Sequence, residues 1–199
     1  MTQVAKQIFK AYDIRGIVAT ELTPSTTKLI GQAIGSLAIR QQIKAIVVGY
    51  DGRLTSPMLA KNLIEGILST GCDVYEIGQV STPMVYFANY HLKTYSGVMI
   101  TGSHNPPEYN GLKMVLGGDT LSGETIQNLL RLIEADNFTS GSGTYYSDDI
   151  TEAYLQEITS TIKLSRKLSI VVDAGNGVAG KIAPMLFRRM DCSVLGMFC

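Results

Sequence analysis

Val98 Met99 Ile100 Thr101 Gly102 Ser103 His104 Asn105 Pro106 Pro107 Glu108 Tyr109 Asn110 Gly111 Leu112 Lys113 Met114 Val115 Leu116 runs from one apolar segment, through a loop rich in glycine and proline, into another. Residues 98–101 and 112–116 read as buried strands. Between them, Pro106 and Pro107 fix φ and suppress helix, while Gly102 and Gly111 permit backbone conformations closed to other residues. The loop is therefore expected to be stiff and held at both ends, and it carries Ser103, His104 and, at its exit, Lys113. A rigidly presented hydroxyl can act as a nucleophile or as a phosphoryl carrier. A serine in such a loop can also be a plain turn former.

Outward from this loop, apolar strands alternate with amphipathic helices. Residues 45–50 and 72–77 are further strands. Thr23 and Pro24 open a helix reaching about Arg40, with Leu29, Ala33, Leu37 and Ile30, Ile34, Ala38 forming an apolar face at spacing four. Ser56 and Pro57 open a second, and Thr82 and Pro83 a third. Each start reads as a hydroxyl N-cap followed by proline at the first helical position, where the missing N–H does no harm. A fourth helix is expected over 124–135. The alternation predicts an α/β fold, a layered and mostly parallel sheet flanked by helices.

The polar, glycine-rich stretch 139–144 reads as a boundary region. The expected division is residues 1–147 as one α/β domain, then 148–199 as a connecting helix (148–162) and an incomplete βαβ portion of a second domain. That portion comprises strand 168–172, helix 178–190 and strand 193–198. Two strands and one helix cannot cover both faces of a parallel sheet, so these residues should either dock on the first domain or belong to a larger unit.

With 199 residues, 45% hydrophobic and 17% charged, the chain can bury a substantial core. Its formal net charge is zero, and no basic block points to nucleic acid or an anionic membrane. The first ten residues hold no apolar run of signal-peptide length, and no later segment approaches the ~20 apolar residues of a membrane helix. Cys72, Cys192 and Cys199 form no CxxC pair, which favours neither a disulfide framework nor a zinc site and fits a reducing, cytoplasmic location.

Ser103 beside His104 raises the possibility of a serine hydrolase. Neighbouring side chains on extended backbone point to opposite faces, so the two are not expected to pair, and the flanking residues are not GxSxG. His91 falls in a helical stretch and reads as a surface or packing residue. Gly175 Asn176 Gly177 Val178 Ala179 Gly180 is a literal GxGxxG between strand and helix, but residues 195–199 lack the acid that would hold a ribose. The glycines therefore read as a tight turn, with dinucleotide binding the lesser alternative. Asp51 Gly52 Arg53, at the carboxyl end of a strand, reads as a turn with a local Asp–Arg contact.

Residues 101–113 resemble the phosphoserine loop of the α-D-phosphohexomutases. Phe9 Lys10 Ala11 Tyr12 Asp13 Ile14 Arg15 Gly16 resembles the amino-terminal signature of that family's bacterial phosphomannomutase/phosphoglucomutase branch, and residues 171–180 resemble the opening of its second domain. The resemblance spans essentially the whole chain. It implies that Ser103 carries a phosphoryl group to a hexose 1-phosphate and regains one from the resulting bisphosphate, glucose 1,6-bisphosphate or mannose 1,6-bisphosphate. The net result is movement of phosphate between C1 and C6. It further implies Mg²⁺ on the phosphoserine oxygen, Tyr12 and Arg15 approaching phosphoserine and substrate, and His104 and Lys113 assisting proton transfer. Lys113, also a substrate contact, would be the general base, which requires a lowered pKa. The family's aspartate-rich metal loop has no counterpart here, and its third and fourth domains lie downstream. The chain alone is accordingly expected to be inactive, a fragment whose missing downstream domains are its main partner beside hexose phosphates. A serine hydrolase or phosphatase, and a non-catalytic sugar-phosphate or nucleotide binding domain, are the alternatives.

Overall fold

A computed structural model describes residues 4–199, so the first three positions of the amino-terminal stretch read above lie outside it. A short 3-10 turn, Lys6–Ile8, precedes β1 (Ile14–Ile17), α1 (Pro24–Arg40), β2 (Ala45–Tyr50), α2 (Ser56–Leu68), β3 (Asp73–Gln79), α3 (Thr82–His91), β4 (Gly97–Ile100) and β5 (Tyr109–Leu116). The chain continues through β6 (Asp119–Thr120), α4 (Glu124–Glu134), β7 (Tyr145–Ser147), α5 (Thr151–Thr161), β8 (Ser169–Asp173), α6 (Ala179–Arg189) and β9 (Ser193–Met197). Among the described residues, no helix is long and apolar enough to cross a membrane.

The main sheet has the order β1-β5-β4-β2-β3-β7, with β6 folded back on β5. The layered α/β architecture is as expected, but the sheet is parallel only from β4 through β2 and β3 to β7. β1, β5 and β4 run antiparallel. The reason lies in the opening stretch: residues 101–108 are too few for the crossover of a dozen or more residues that parallel neighbours require, so β5 must return antiparallel to β4.

Alternation along the strands sends residues to two cores. Ile46, Val48, Val98, Ile100, Leu112 and Met114 face α1, α2 and α4, against Ile30, Ile34, Leu63, Ile67 and Leu129. Val47 and Met99 face the opposite side, against Met84, Val85 and Ala88 of α3. Ile150, Leu155 and Ile182 are buried in this second cluster, so α5 and α6 dock on the α3 face of the main sheet. Arg189 adds a two-pronged ion pair to Glu152, both bonds at 2.7 Å, between α6 and α5. β8 and β9 pair in parallel as a separate two-stranded sheet that exposes Val171, Leu195 and Met197.

Helix starts follow the expected chemistry once and depart from it twice. Thr23 caps α1, its Oγ1 accepting from the N–H of Thr26 at 3.2 Å. Ser56 does not cap α2 but lies within it, its hydroxyl donating to Asp51 Oδ1 at 2.6 Å. A carboxylate is the stronger acceptor and draws the hydroxyl away from the helix end. α3 likewise begins at Thr82 itself, with Ser81 at the cap position and no side-chain capping bond.

Candidate active site

Arg15, Lys113 and the Ser103 loop meet because of β1, a strand that the sequence pattern did not reveal. β1 pairs antiparallel with β5 so that Arg15 lies opposite Gly111. Gly111 and Lys113, two apart on β5, share one face of the sheet, which makes Arg15 and Lys113 diagonal neighbours. Lys113 is in turn opposite Met99 of β4, placing the site on the α3 side. Gly111 has no room for a side chain, since a Cβ there would meet the carbonyl oxygen of Ile14 at 2.5 Å.

The segment before β1 is a tight hairpin. Phe9 bridges to Ile14, Lys10 N–H donates to Asp13 C=O at 2.9 Å, and both Phe9 and Ile14 are buried. Those two anchors leave Tyr12 at the tip, 79% exposed. After β1, Glu21 closes the turn by accepting from Ile17 N–H at 2.8 Å and from Gln7 Nε2 at 2.9 Å. These bonds hold its carboxyl below the usual carboxylate range, the backbone donor contributing most.

Ser103 departs from expectation. Its φ is +50°, a left-handed conformation that costs a non-glycine residue about 1–2 kcal/mol. The backbone is therefore not extended, and Ser103 Oγ meets His104 Nδ1 at 3.3 Å. The expectation that adjacent side chains diverge fails for this reason. Ser103 is exposed, and no described carboxylate bonds to the His104 ring, so the third group of a hydrolase triad is not supplied.

The loop is over-determined by bonds to its backbone. Ser103 N–H donates to Thr101 Oγ1 at 2.9 Å, and Gly102 C=O accepts from both the backbone N–H and the side-chain amide of Asn105, at 2.9 and 2.8 Å. Asp51 reaches in from the end of β2, accepting from Gly102 N–H at 3.1 Å through one oxygen and from Ser56 Oγ through the other. Asn110, fully buried, donates to Ser56 Oγ at 2.9 Å and to Thr55 Oγ1 at 3.0 Å. Arg53 lies beneath the loop and donates to the carbonyl oxygens of Ser103, Asn105, Pro106 and Tyr109 at 2.5–3.1 Å. The local turn read at Asp51–Arg53 is present, with Arg53 N–H bonded to Asp51 Oδ1 at 3.0 Å, and it reaches further than a local turn, into the serine loop. A charged pair at the carboxyl end of a strand in an α/β sheet was the available signal.

Together these elements line a cavity of about 270 Å³ that collects every site residue read from the sequence: Tyr12, Arg15, Ser103, His104 and Lys113. It adds Asp13, Tyr86, Thr101, Asn105 and Thr120, none of which had been singled out as functional. Asp13 Oδ2 takes 2.6 and 3.2 Å bonds from Arg15, whose third nitrogen lies 3.5 Å from Asn105 Oδ1. Mg²⁺ demands several oxygen ligands in octahedral array. Asp13 is the cavity's single carboxylate and is already engaged by Arg15, and among the described residues no three His, Cys, Asp or Glu side chains cluster to hold a metal. The side chains present do not by themselves fit a Mg²⁺ site.

Elsewhere, His91 ends α3 and stacks on Phe87 with ring centroids 5.2 Å apart, a packing role. In the GxGxxG turn, the N–H groups of Ala174 and Asn176 donate to Met197 and Phe198 carbonyls at 3.2 and 2.7 Å. They are thus already bonded within the protein, and a Cβ on Gly180 would meet Cys199 at 2.7 Å. The turn and close-packing reading is the one this geometry supports.

Residues 6–140 match the family model described as phosphoglucomutase/phosphomannomutase, alpha/beta/alpha domain I. A phosphoglucomutase of Neisseria meningitidis serogroup B is 48% identical over 100% of this chain and 44% of its own length. A phosphomannomutase/phosphoglucomutase of Pseudomonas aeruginosa is 47% identical over 96% of this chain and 42% of its own length. The crystal structure of a phosphoglucomutase/phosphomannomutase family protein from Burkholderia thailandensis superposes with a TM-score of 0.93 at 41% identity, over 98% of this chain and 44% of that one. The chain thus spans less than half the length of these relatives. On sequence and fold together, it belongs to the phosphoglucomutase/phosphomannomutase family.

Proposed function

We propose that this chain is the phosphoryl-carrying part of a phosphohexomutase that interconverts hexose 1-phosphate and hexose 6-phosphate through Ser103 and a bisphosphorylated sugar. One observation carries the reading: an exposed Ser103 hydroxyl, on a left-handed residue, sharing a cavity with Arg15 and Lys113. A phosphoserine carries about −1.5 to −2 charges at neutral pH, so its transfer depends on fixed positive charge and alignment.

In the forward half of the cycle, the bond between phosphorus and Ser103 Oγ breaks as one forms to a sugar hydroxyl, which gives up its proton. Ser103 takes up a proton in exchange, and His104 Nδ1, at 3.3 Å, is within reach to supply it. Lys113, in the same cavity, is the group proposed to take the sugar's proton. Arg15, oriented by Asp13, and Tyr12 at the hairpin tip hold the incoming phosphosugar. The second half runs these transfers in reverse on the other phosphoryl group. Glucose 1,6-bisphosphate or mannose 1,6-bisphosphate is the proposed intermediate, and hexose phosphates in the cytoplasm are the proposed partners.

Mg²⁺ is proposed as the metal of the whole enzyme, with its carboxylate ligands coming from residues outside this sequence. The division at residues 147 and 148, and the inactivity of the chain by itself, are part of the same proposal. The Ser103–His104 contact is the observation that favours a hydrolase or phosphatase instead. Intact mass of the whole enzyme isolated from cells separates the two: a single phosphoryl adduct that disappears in Ser103→Ala supports the mutase, whereas an acyl adduct with a serine-directed probe supports the hydrolase. Incubation with glucose 1-phosphate, glucose 1,6-bisphosphate and Mg²⁺ should yield no glucose 6-phosphate, and robust formation overturns the claim of inactivity.

A further inference from the structure

We propose that Arg53 is a positioning residue whose guanidinium turns the main-chain N–H of His104 toward the phosphoryl group on Ser103; this rests on the phosphoserine reading above. Arg53 Nη1 donates to Pro106 C=O at 2.7 Å and Tyr109 C=O at 3.0 Å, and Nη2 donates to Ser103 C=O at 3.1 Å and Asn105 C=O at 2.5 Å. Asp51 lies 3.6 Å from Arg53 Nε and offsets its charge, so the guanidinium acts on the loop's shape rather than as a phosphate ligand.

In a trans peptide the C=O and the N–H of the next residue point in opposite directions, and every described peptide bond is trans. Each carbonyl drawn to Arg53 therefore aims its partner N–H away from the guanidinium. Two of the four peptide units, Asn105–Pro106 and Pro106–Pro107, have no N–H to aim. The unit after Tyr109 carries the N–H of Asn110, inside β5. That leaves the Ser103–His104 unit as the one within the loop that presents a donor.

The neighbouring donors are already occupied. Gly102 N–H goes to Asp51, Ser103 N–H to Thr101 and Asn105 N–H to Gly102. Among the described residues, His104 N–H has no acceptor, and His104 lines the cavity beside Ser103. A fixed donor next to the oxygen that gains and loses a phosphoryl group stabilises the charge that develops there. Arginine suits the task because its planar fork offers several donors in fixed directions, whereas a lysine ammonium is a point charge. Gly102 belongs to the same device, since a side chain there would collide with the guanidinium.

The test is a ¹H–¹⁵N NMR titration of this chain with inorganic phosphate. In the unsubstituted chain the His104 amide should shift on binding. In Arg53→Lys the affinity read at His104 should be about tenfold weaker, the worth of one charge-assisted hydrogen bond, with core-strand signals unmoved. A purely structural role would instead disturb the core signals and leave the His104 response to phosphate intact in whatever remains folded. Gly102→Ala should reproduce the loss and carries the test should Arg53→Lys fail to fold. An unsubstituted chain whose His104 amide ignores phosphate overturns the proposal, as does Arg53→Lys binding like the parent. Absence of the Ser103 phosphoryl adduct in the whole enzyme isolated from cells defeats the underlying reading, whereas an adduct with a silent His104 amide defeats this inference alone.

Discussion

Ser103 Oγ lies 3.3 Å from His104 Nδ1 because Ser103 sits at φ +50°. The strain and the contact have one origin, a left-handed residue that folds its own side chain toward its neighbour's. Glycine reaches this conformation without steric cost, while β-branched residues resist it most. Ser103→Gly should therefore melt within about 0.5 kcal/mol of the parent, its relief offset by the greater freedom of the unfolded chain. Ser103→Val should lose about 1–3 kcal/mol. Urea unfolding monitored by circular dichroism measures both, and equal stability of the two variants would rule out strain at this position.

Asp51 links three elements through one carboxylate: Gly102 of the loop, Ser56 of α2 and Arg53 of its own turn. Its side chain and that of Arg53 are 17% and 18% exposed, so removing the acid strands a largely desolvated cation and three donors. Asp51→Ala is expected to cost about 3–5 kcal/mol, the range for breaking a buried pair from one side. Asp51→Asn keeps the shape and one acceptor and should cost less. The urea midpoints of the two variants check the order, and a loss under 1 kcal/mol for Asp51→Ala would show that water replaces these bonds.

Much of this was readable in residue patterns, and the gaps have physical causes. Ala45–Tyr50 and α1 were found where periodicity and capping agreed, at Thr23 and Pro24. β1 was not, because Ile14–Ile17 is four residues long with Arg15 and Gly16 at its centre, too short and too polar for alternation to register. β7 is shorter still, exposed along its length and held as an edge strand on β3. The site residues were identified through a motif, yet their meeting depends on the β1–β5 register, which only the folded chain fixes. Arg53 was legible as a turn residue, but its contacts with four carbonyls some fifty positions away leave no local trace in the sequence.

Glu21 sets part of the acid limb of stability. Its carboxyl is held below the ordinary value of 4.5 by bonds from Ile17 and Gln7 that only the ionised form accepts well. A depressed native pKa means that the unfolded chain binds the proton more readily. The contribution is therefore fully present above about 4.5 and is lost as the pH falls through the lower native value. Glu21→Gln should lower stability at pH 7 and flatten the decline below about pH 4.5, the exposure of the group keeping the effect small. Parallel acid limbs in the two proteins would show that the turn after β1 does not depend on this charge.

The cysteines should separate by burial. Cys72 is fully buried at the start of β3, where loss of solvation, with Asp73 adding to it, pushes its thiol from 9.0 up to about 12. Cys199 is exposed, while Cys192 is buried behind α6. A thiol-specific reagent at pH 8 should modify Cys199 rapidly and Cys72 only as fast as the fold opens, because the thiolate is the reacting form. The raised value also has a consequence for stability. The native chain retains the Cys72 proton where the unfolded chain releases it, so the contribution is intact below pH 9, declines as the pH rises and is gone above about 12. Cys72→Ala should weaken this alkaline decline while opening a small cavity among the residues that pack α2 against the sheet. Labelling of Cys72 at the rate of Cys199 in folded protein would mean that this edge of the sheet opens locally, well below the energy of global unfolding.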